Sequence, residues 1–250
     1  CAPAALPDEH TAAEWAVVED ARDGILDRTG LLEAALILSS SGEGTQDVCL
    51  RTFEQIAESA RRTASNERLP IAKVRRFVRL LHAEPRSGKF DPECASVEET
   101  LTTGLHNCVT SLILTLEFCR CERIAAHGVQ QGSHVWLRVK GEGGGDVETT
   151  TLSTVQLEPG VSTPISDAQL LSRLLYNQAR ALHQQGKPAN AAERLEWCLL
   201  VDPQFDAAER NLRIVMANWA IAAADAGRFS EAMAVTRRAM ARFPDAPEFP

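Results

Sequence analysis

The sequence predicts an α+β fold: helices first, then a small antiparallel sheet, then an all-helical repeat segment. Three observations carry that expectation. Apolar residues recur at helical spacing from residue 12 to about residue 84. Two short stretches on either side of the run Gly141-Glu142-Gly143-Gly144-Gly145 have strand character. Beyond Pro164 the sequence turns helical again, with a pattern that repeats at an offset of 41 residues. A chain of 250 residues with 44% hydrophobic content can bury a full core. Two domains are expected, residues 1–165 and residues 166–250.

In the first stretch Trp15, Val18 and Ala21 are followed by Leu31, Leu32, Ala35 and Leu38. Cys49, Leu50, Phe53, Ile56 and Ala57 come next, and then Ile71, Val74, Phe77, Val78 and Leu81. Such spacing gathers apolar side chains on one helix face, so three or four amphipathic helices are expected. The polar, glycine-bearing residues 39–45 separate two of them. Pro70 sits where a first helical turn accepts proline, and Pro85, Gly88 and Pro92 stop the last helix by Glu84.

Residues 108–120 carry Val109, Leu112, Ile113 and Leu116 on one face, with Asn107 in front of them as a good N-cap. Residues 133–140 alternate instead. Val135, Leu137 and Val139 share one face of a strand, and His134, Trp136 and Arg138 share the other. The glycine run supplies a reversal, and residues 146–151 return as a second, β-branched strand. A simple five-residue loop over the glycine run would pair Lys140 with Asp146 and put Glu148 opposite Arg138. His134 would then lie four positions away, about 13 Å along the strand.

In the last segment Gly186, Ala191 and Pro203 align without gaps on Gly227, Ala232 and Pro244. A small residue at a helix crossing and a proline after a helix end are what stacked helix pairs require. Residues 176–185, 186–203, 212–226 and 227–244 are similar to tetratricopeptide repeats. The offset exceeds that family's 34, which implies a central helix about two turns longer than usual.

The formal charge of −8, from 34 acidic and 26 basic residues, argues against nucleic acid as a partner, since phosphate contacts need clustered Lys and Arg. No apolar run reaches the 18 to 20 or so residues of a membrane span. Cys1, followed by Ala2-Pro3-Ala4-Ala5, suits the cysteine that receives lipid in a bacterial lipoprotein, which would make the protein extracytoplasmic and membrane-anchored. The alternative is an arbitrary start to a soluble chain. Seven cysteines without repeating spacing do not read as a disulfide scaffold.

A cysteine nucleophile needs its thiolate, and a helix N-terminus with a histidine nearby stabilises one. Cys108 has that position, directly after the Asn107 cap. His134 opens a strand on the face opposite the core stripe, and a carboxylate on the returning strand would fix the imidazole's tautomer. Cys108 also has a plainer reading, as a small core residue of an apolar helix. Cys119 and Cys121 with His127 have an unusual spacing for zinc, so no metal and no cofactor is expected. His106 and His127 read as loop or surface residues, and Trp197 and Trp219 as packing residues.

Together these residues resemble the transglutaminase-like superfamily, whose fold is related to papain. The resemblance covers about residues 101–151: Gly104-Leu105-His106-Asn107-Cys108 with its helix, His134-Val135-Trp136-Leu137-Arg138-Val139, and Val147-Glu148-Thr149-Thr150. The N-terminal helices are similar in character to those of bacterial members that also carry tetratricopeptide repeats. The resemblance implies that Cys108 is a nucleophile, His134 its general base and acid, and Glu148 the orienting carboxylate, in an enzyme acting on peptide or protein amide bonds. The family's Asp-Pro at the third position is here Glu148-Thr149, and Asp146 on the same strand face competes for the role. The alternative is a non-catalytic protein that keeps this fold and binds a peptide or protein partner.

Overall fold

The computed structural model describes residues 9–39, 42–83, 88–151 and 161–244. Cys1, Glu84, Pro85 and Pro159 lie outside the described residues. Four helices make the lead-in: α1 (Glu9–Ala21), α2 (Leu31–Ser39), α3 (Glu43–Thr63) and α4 (Pro70–Leu81), the last with Pro70 in its first turn as expected. Val74, Phe77, Val78 and Leu81 are its buried face. A short helix, α5 (Val97–Thr103), was not foreseen in the sequence. It is capped by Ser96, whose hydroxyl accepts the Glu99 N–H, and it ends on Gly104 at φ 83°, a left-handed conformation that glycine adopts without strain.

The central element is α6 (Cys108–Cys121). A one-sided apolar stripe was expected, yet residues 109–116 are all buried, the hydroxyls of Thr110, Ser111 and Thr115 included. The hydroxyls are accommodated by bonds within the helix and its cap: Thr115 Oγ1 donates to Ser111 O at 2.7 Å, and Thr110 Oγ1 accepts the Asn107 N–H at 3.1 Å. A helix buried all round must have neighbours on every side, and α2, α4 and α5 supply them together with a sheet and one later helix.

That sheet is antiparallel and four-stranded, in the order β3 (Gly145–Val147), β2 (His134–Val139), β1 (Ala126–Gln131), β4 (Thr163–Ile165). Strand β2 falls where its alternation predicted it, with Val135, Leu137 and Val139 buried against the core. The returning strand is shorter than expected and its register differs. Val139 pairs with Gly145 and Arg138 with Asp146, so the reversal occupies residues 140–144 rather than 141–145. Two contacts impose this. The Lys140 N–H donates to Ala125 O, which draws Lys140 toward β1, and the Gly144 N–H closes the turn on Gly141 O at 3.0 Å. At Gly144 a Cβ would stand 2.4 Å from Val139 O, so only glycine fits there.

Beyond the sheet come α7 (Asp167–Gln184), α8 (Pro188–Val201), α9 (Asp206–Asp225) and α10 (Phe229–Arg242). The repeat offset is visible in the helices themselves, since α10 begins and ends 41 residues after α8. Gly186 and Gly227 occupy matching left-handed turns at φ 72° and 73°. The helices pack as successive neighbours, and α7 also rests on α2 and α6. One continuous apolar core therefore joins the helical segment to the rest, from Leu36 and Leu112 through Leu171 to Leu212. Between α1 and α8, Arg194 and Glu14 form a largely buried ion pair at 2.5 Å. Among the described residues, no helix is long and apolar enough to cross a membrane.

Candidate active site

Cys108 is the first residue of α6, and its backbone explains why it can sit there half-buried. The Asn107 side chain accepts the N–H groups of Val109 and Thr110, both at 3.0 Å, and its Nδ2 donates to Cys94 O at 2.6 Å. The Ser111 N–H returns to Asn107 O. Of the first-turn donors that a helix leaves without an internal acceptor, this accounts for all but the N–H of Cys108 itself. The cap thus anchors the helix start, and the thiol and its own N–H stand at the positive end of the helix dipole.

His134 is the first residue of β2, on the strand face opposite the core. Its ring stacks on fully buried Trp136, with centroids 5.7 Å apart and planes 24° from parallel, which limits its rotation. Through Nε2 it hydrogen-bonds to Glu148 Oε2 at 2.7 Å, and the Cys108 side chain is its other polar neighbour. With Nε2 committed to the carboxylate, Nδ1 is the nitrogen left for the thiol. The neighbouring Cys108 side chain above all, then the Glu148 bond, push the imidazole up from 6.5 to about 10 against the opposing effect of burial.

Glu148 is almost fully buried, which by itself would raise its carboxyl. The bonds from His134 and Thr150 outweigh burial and hold it below the usual carboxylate range. Its Oε1 accepts both the N–H of Thr150 at 3.1 Å and the Thr150 hydroxyl at 2.8 Å. The register correction brings it within reach of the histidine. The ladder ends at the pair Leu137–Val147, and the same register continued by one residue would set Glu148 level with Trp136, two residues from His134 rather than four. That diagonal is within reach of a long side chain. Asp146 is engaged elsewhere: Arg138 holds it with two bonds of 2.6 and 2.8 Å, and this fork is the chief cause of its lowered pKa.

Cys108 opens into a cleft of about 600 Å³. One wall is the start of α6 with Phe90 and the β1–β2 turn. The other is the helical segment: Tyr176 and Arg180 from α7, Phe205 from the α8–α9 connection and Arg210 from α9. Arg173 ties the walls together. It bonds Asp202 Oδ2 at 2.8 Å and Gln130 Oε1 at 3.1 Å, and it lies 3.4 Å over the Phe205 ring. This second wall could not be read from sequence motifs, because its residues are ordinary helix-face side chains that acquire a role only through the packing of α7 on α6.

The other described thiols stand in different surroundings. Burial is the chief cause that pushes Cys119 and Cys198 up to about 12 and Cys49 to about 11, and that raises Cys94 and Cys121. Among the described residues, no group of three or more His, Cys, Asp or Glu side chains is placed to hold a metal ion. His127, read as a loop or surface residue, lies half-buried on β1, whereas His106, read the same way, is in the loop between α5 and α6 but fully buried. Trp197 is buried, and the Trp219 indole is partly buried and donates to Glu231 Oε1. Compared with family models, curated proteins and solved structures, the chain matches none.

Proposed function

We propose that this chain is a transglutaminase-like thiol enzyme that acts on amide bonds of peptides or proteins, with tetratricopeptide-like helix pairs as the second wall of its cleft. Cys108 attacks the carbonyl carbon, and the N–H of Cys108 at the helix start meets the developing oxyanion. His134 gives its proton to the departing amine, leaving a thioester on Cys108. Water or a second amine then cleaves the thioester, with His134 taking the proton from the attacking group. Glu148 holds the imidazole in one tautomer and stabilises its protonated form.

The observation that carries this reading is the grouping of Cys108, His134 and Glu148: a cysteine at a helix N-terminus that lines a cleft, beside an imidazole bonded at 2.7 Å to a buried carboxylate. The resemblance of residues 101–151 to that superfamily supports it independently. Iodoacetamide at pH 6, with each cysteine followed by mass spectrometry, tests it. Cys108 should be labelled at least about tenfold faster than the other thiols, because a thiolate stabilised by an imidazolium reacts where ordinary thiols are protonated. Equal rates would overturn the proposal. They would favour the second reading, a non-catalytic protein that binds a peptide or protein partner, for which Glu148 and Thr149 in place of the family's Asp and Pro already speak.

A further inference from the structure

Behind Glu148 lie two histidines that the chemistry above does not use. We propose that His82 and His106 are positioning residues for the Cys108–His134–Glu148 series, acting through Glu148; the inference rests on the function proposed above. Strand β3 ends at Val147, so no ladder of backbone bonds extends to Glu148. Side chains hold the following segment instead. His82, the residue after α4, places Nε2 at 2.8 Å from Thr149 O. The oxygen of Thr149 and the N–H of Thr150 belong to one planar peptide group. That N–H is the donor to Glu148 Oε1, whose partner oxygen meets His134. A bond at one end of the peptide plane thus fixes the donor at its other end. Turning that plane would break the His82 and Glu148 contacts together.

His106 secures the next carbonyl. Its Nε2 lies 3.1 Å from Thr150 O and its Nδ1 lies 3.0 Å from Gly104 O, in the loop that leads into Cys108. The two imidazoles stack with centroids 3.7 Å apart, Ser111 of α6 approaches His82 Nε2 at 3.5 Å, and Phe90 meets the His106 ring edge-on. The loop before the nucleophile and the segment after the carboxylate are therefore held against each other by a stacked pair of rings, His106 buried and His82 half-buried. A merely structural pair would stabilise the fold without affecting the thiol.

The test is the pH profile of Cys108 alkylation by iodoacetamide between pH 4.5 and 9, in variants whose fold is checked by circular dichroism. His82→Phe keeps a stacked ring and loses the donor; His82→Gln keeps a donor and loses the ring. Loss of orientation at Glu148 should lower the His82→Phe rate at pH 6 about tenfold and move the rising acid limb up by about one pH unit, while His82→Gln stays within about threefold. Because the effect passes through Glu148, His82→Phe should cost nothing further in a Glu148→Gln background. A folded His82→Phe variant with the unaltered profile would overturn the proposal, as would a full additional loss on top of Glu148→Gln. If His82→Phe does not fold, His106→Phe, which loses the Thr150 O bond, carries the same expectation. Equal labelling of every thiol in the unaltered protein would overturn the thiol-enzyme reading itself, and this proposal with it.

Discussion

Glu148→Asp is the substitution in which the resemblance and the geometry of this chain disagree. The resemblance makes aspartate the natural residue at the third position, so the exchange looks conservative. The sheet register says otherwise. Glu148 follows the last paired residue of β3, and a register continued by one residue would set it two strand positions from His134, which its carboxylate meets at 2.7 Å. Removing one methylene withdraws the carboxylate by up to about 1.5 Å. The contact then opens to about 4 Å, beyond hydrogen-bonding distance. A hydrogen bond between charged partners contributes about 1.5–3 kcal/mol, which is about 10- to 150-fold in an equilibrium that depends on it. The Asp variant should therefore lose most of what Glu148→Gln loses. The assay is the second-order rate of Cys108 alkylation at pH 6, with melting temperature as the check on folding. An Asp variant within about twofold of the unaltered protein, beside a strongly impaired Gln variant, would refute the diagonal-reach reasoning.

Two further outcomes follow from the same geometry. Asp146→Asn should leave Cys108 alkylation within about twofold and change stability by less than about 1 kcal/mol, since Asp146 serves a partly exposed ion pair with Arg138; a large loss of thiol reactivity would restore Asp146 as the third member. Stability should also vary with pH in a defined sense. His134 is raised from 6.5 to about 10, so its contribution is full below pH 6.5 and is lost as pH rises toward 10. Glu148 is lowered from 4.5, so its contribution is present above pH 4.5 and is lost as pH falls through its folded value. Urea midpoints should decline between pH 6.5 and 10, and His134→Gln should flatten that decline; an equal decline in the variant would count against a raised His134.

Much of this was legible from sequence where local chemistry decides structure. Asn107 before an apolar run gave the start of α6 to the residue, and the alternation over residues 134–139 gave β2 and the face on which His134 stands. The glycines at 186 and 227 marked equivalent turns. What was missed depends on partners distant in sequence. Strand β1, Ala126–Gln131, has few residues with strand preference, yet it lies between β2 and β4 and owes its conformation to both. β4 contains Pro164, tolerable because the strand is at the sheet edge. The hairpin register turned on the Lys140 N–H bonding to Ala125 O, a contact that no pattern within the hairpin reveals. His106 looked like a loop histidine because its partners, Thr150 O and the His82 ring, are supplied by segments 44 and 24 residues away.

The Arg173 tie holds the two walls of the cleft beside the thiol at one spacing. Its side chain is only 12% exposed, and it joins a helix, a strand and an inter-helix connection by short contacts. None of the three can swing away alone without leaving charged or amide groups unsatisfied. The gap beside Cys108 therefore behaves as a fixed gauge.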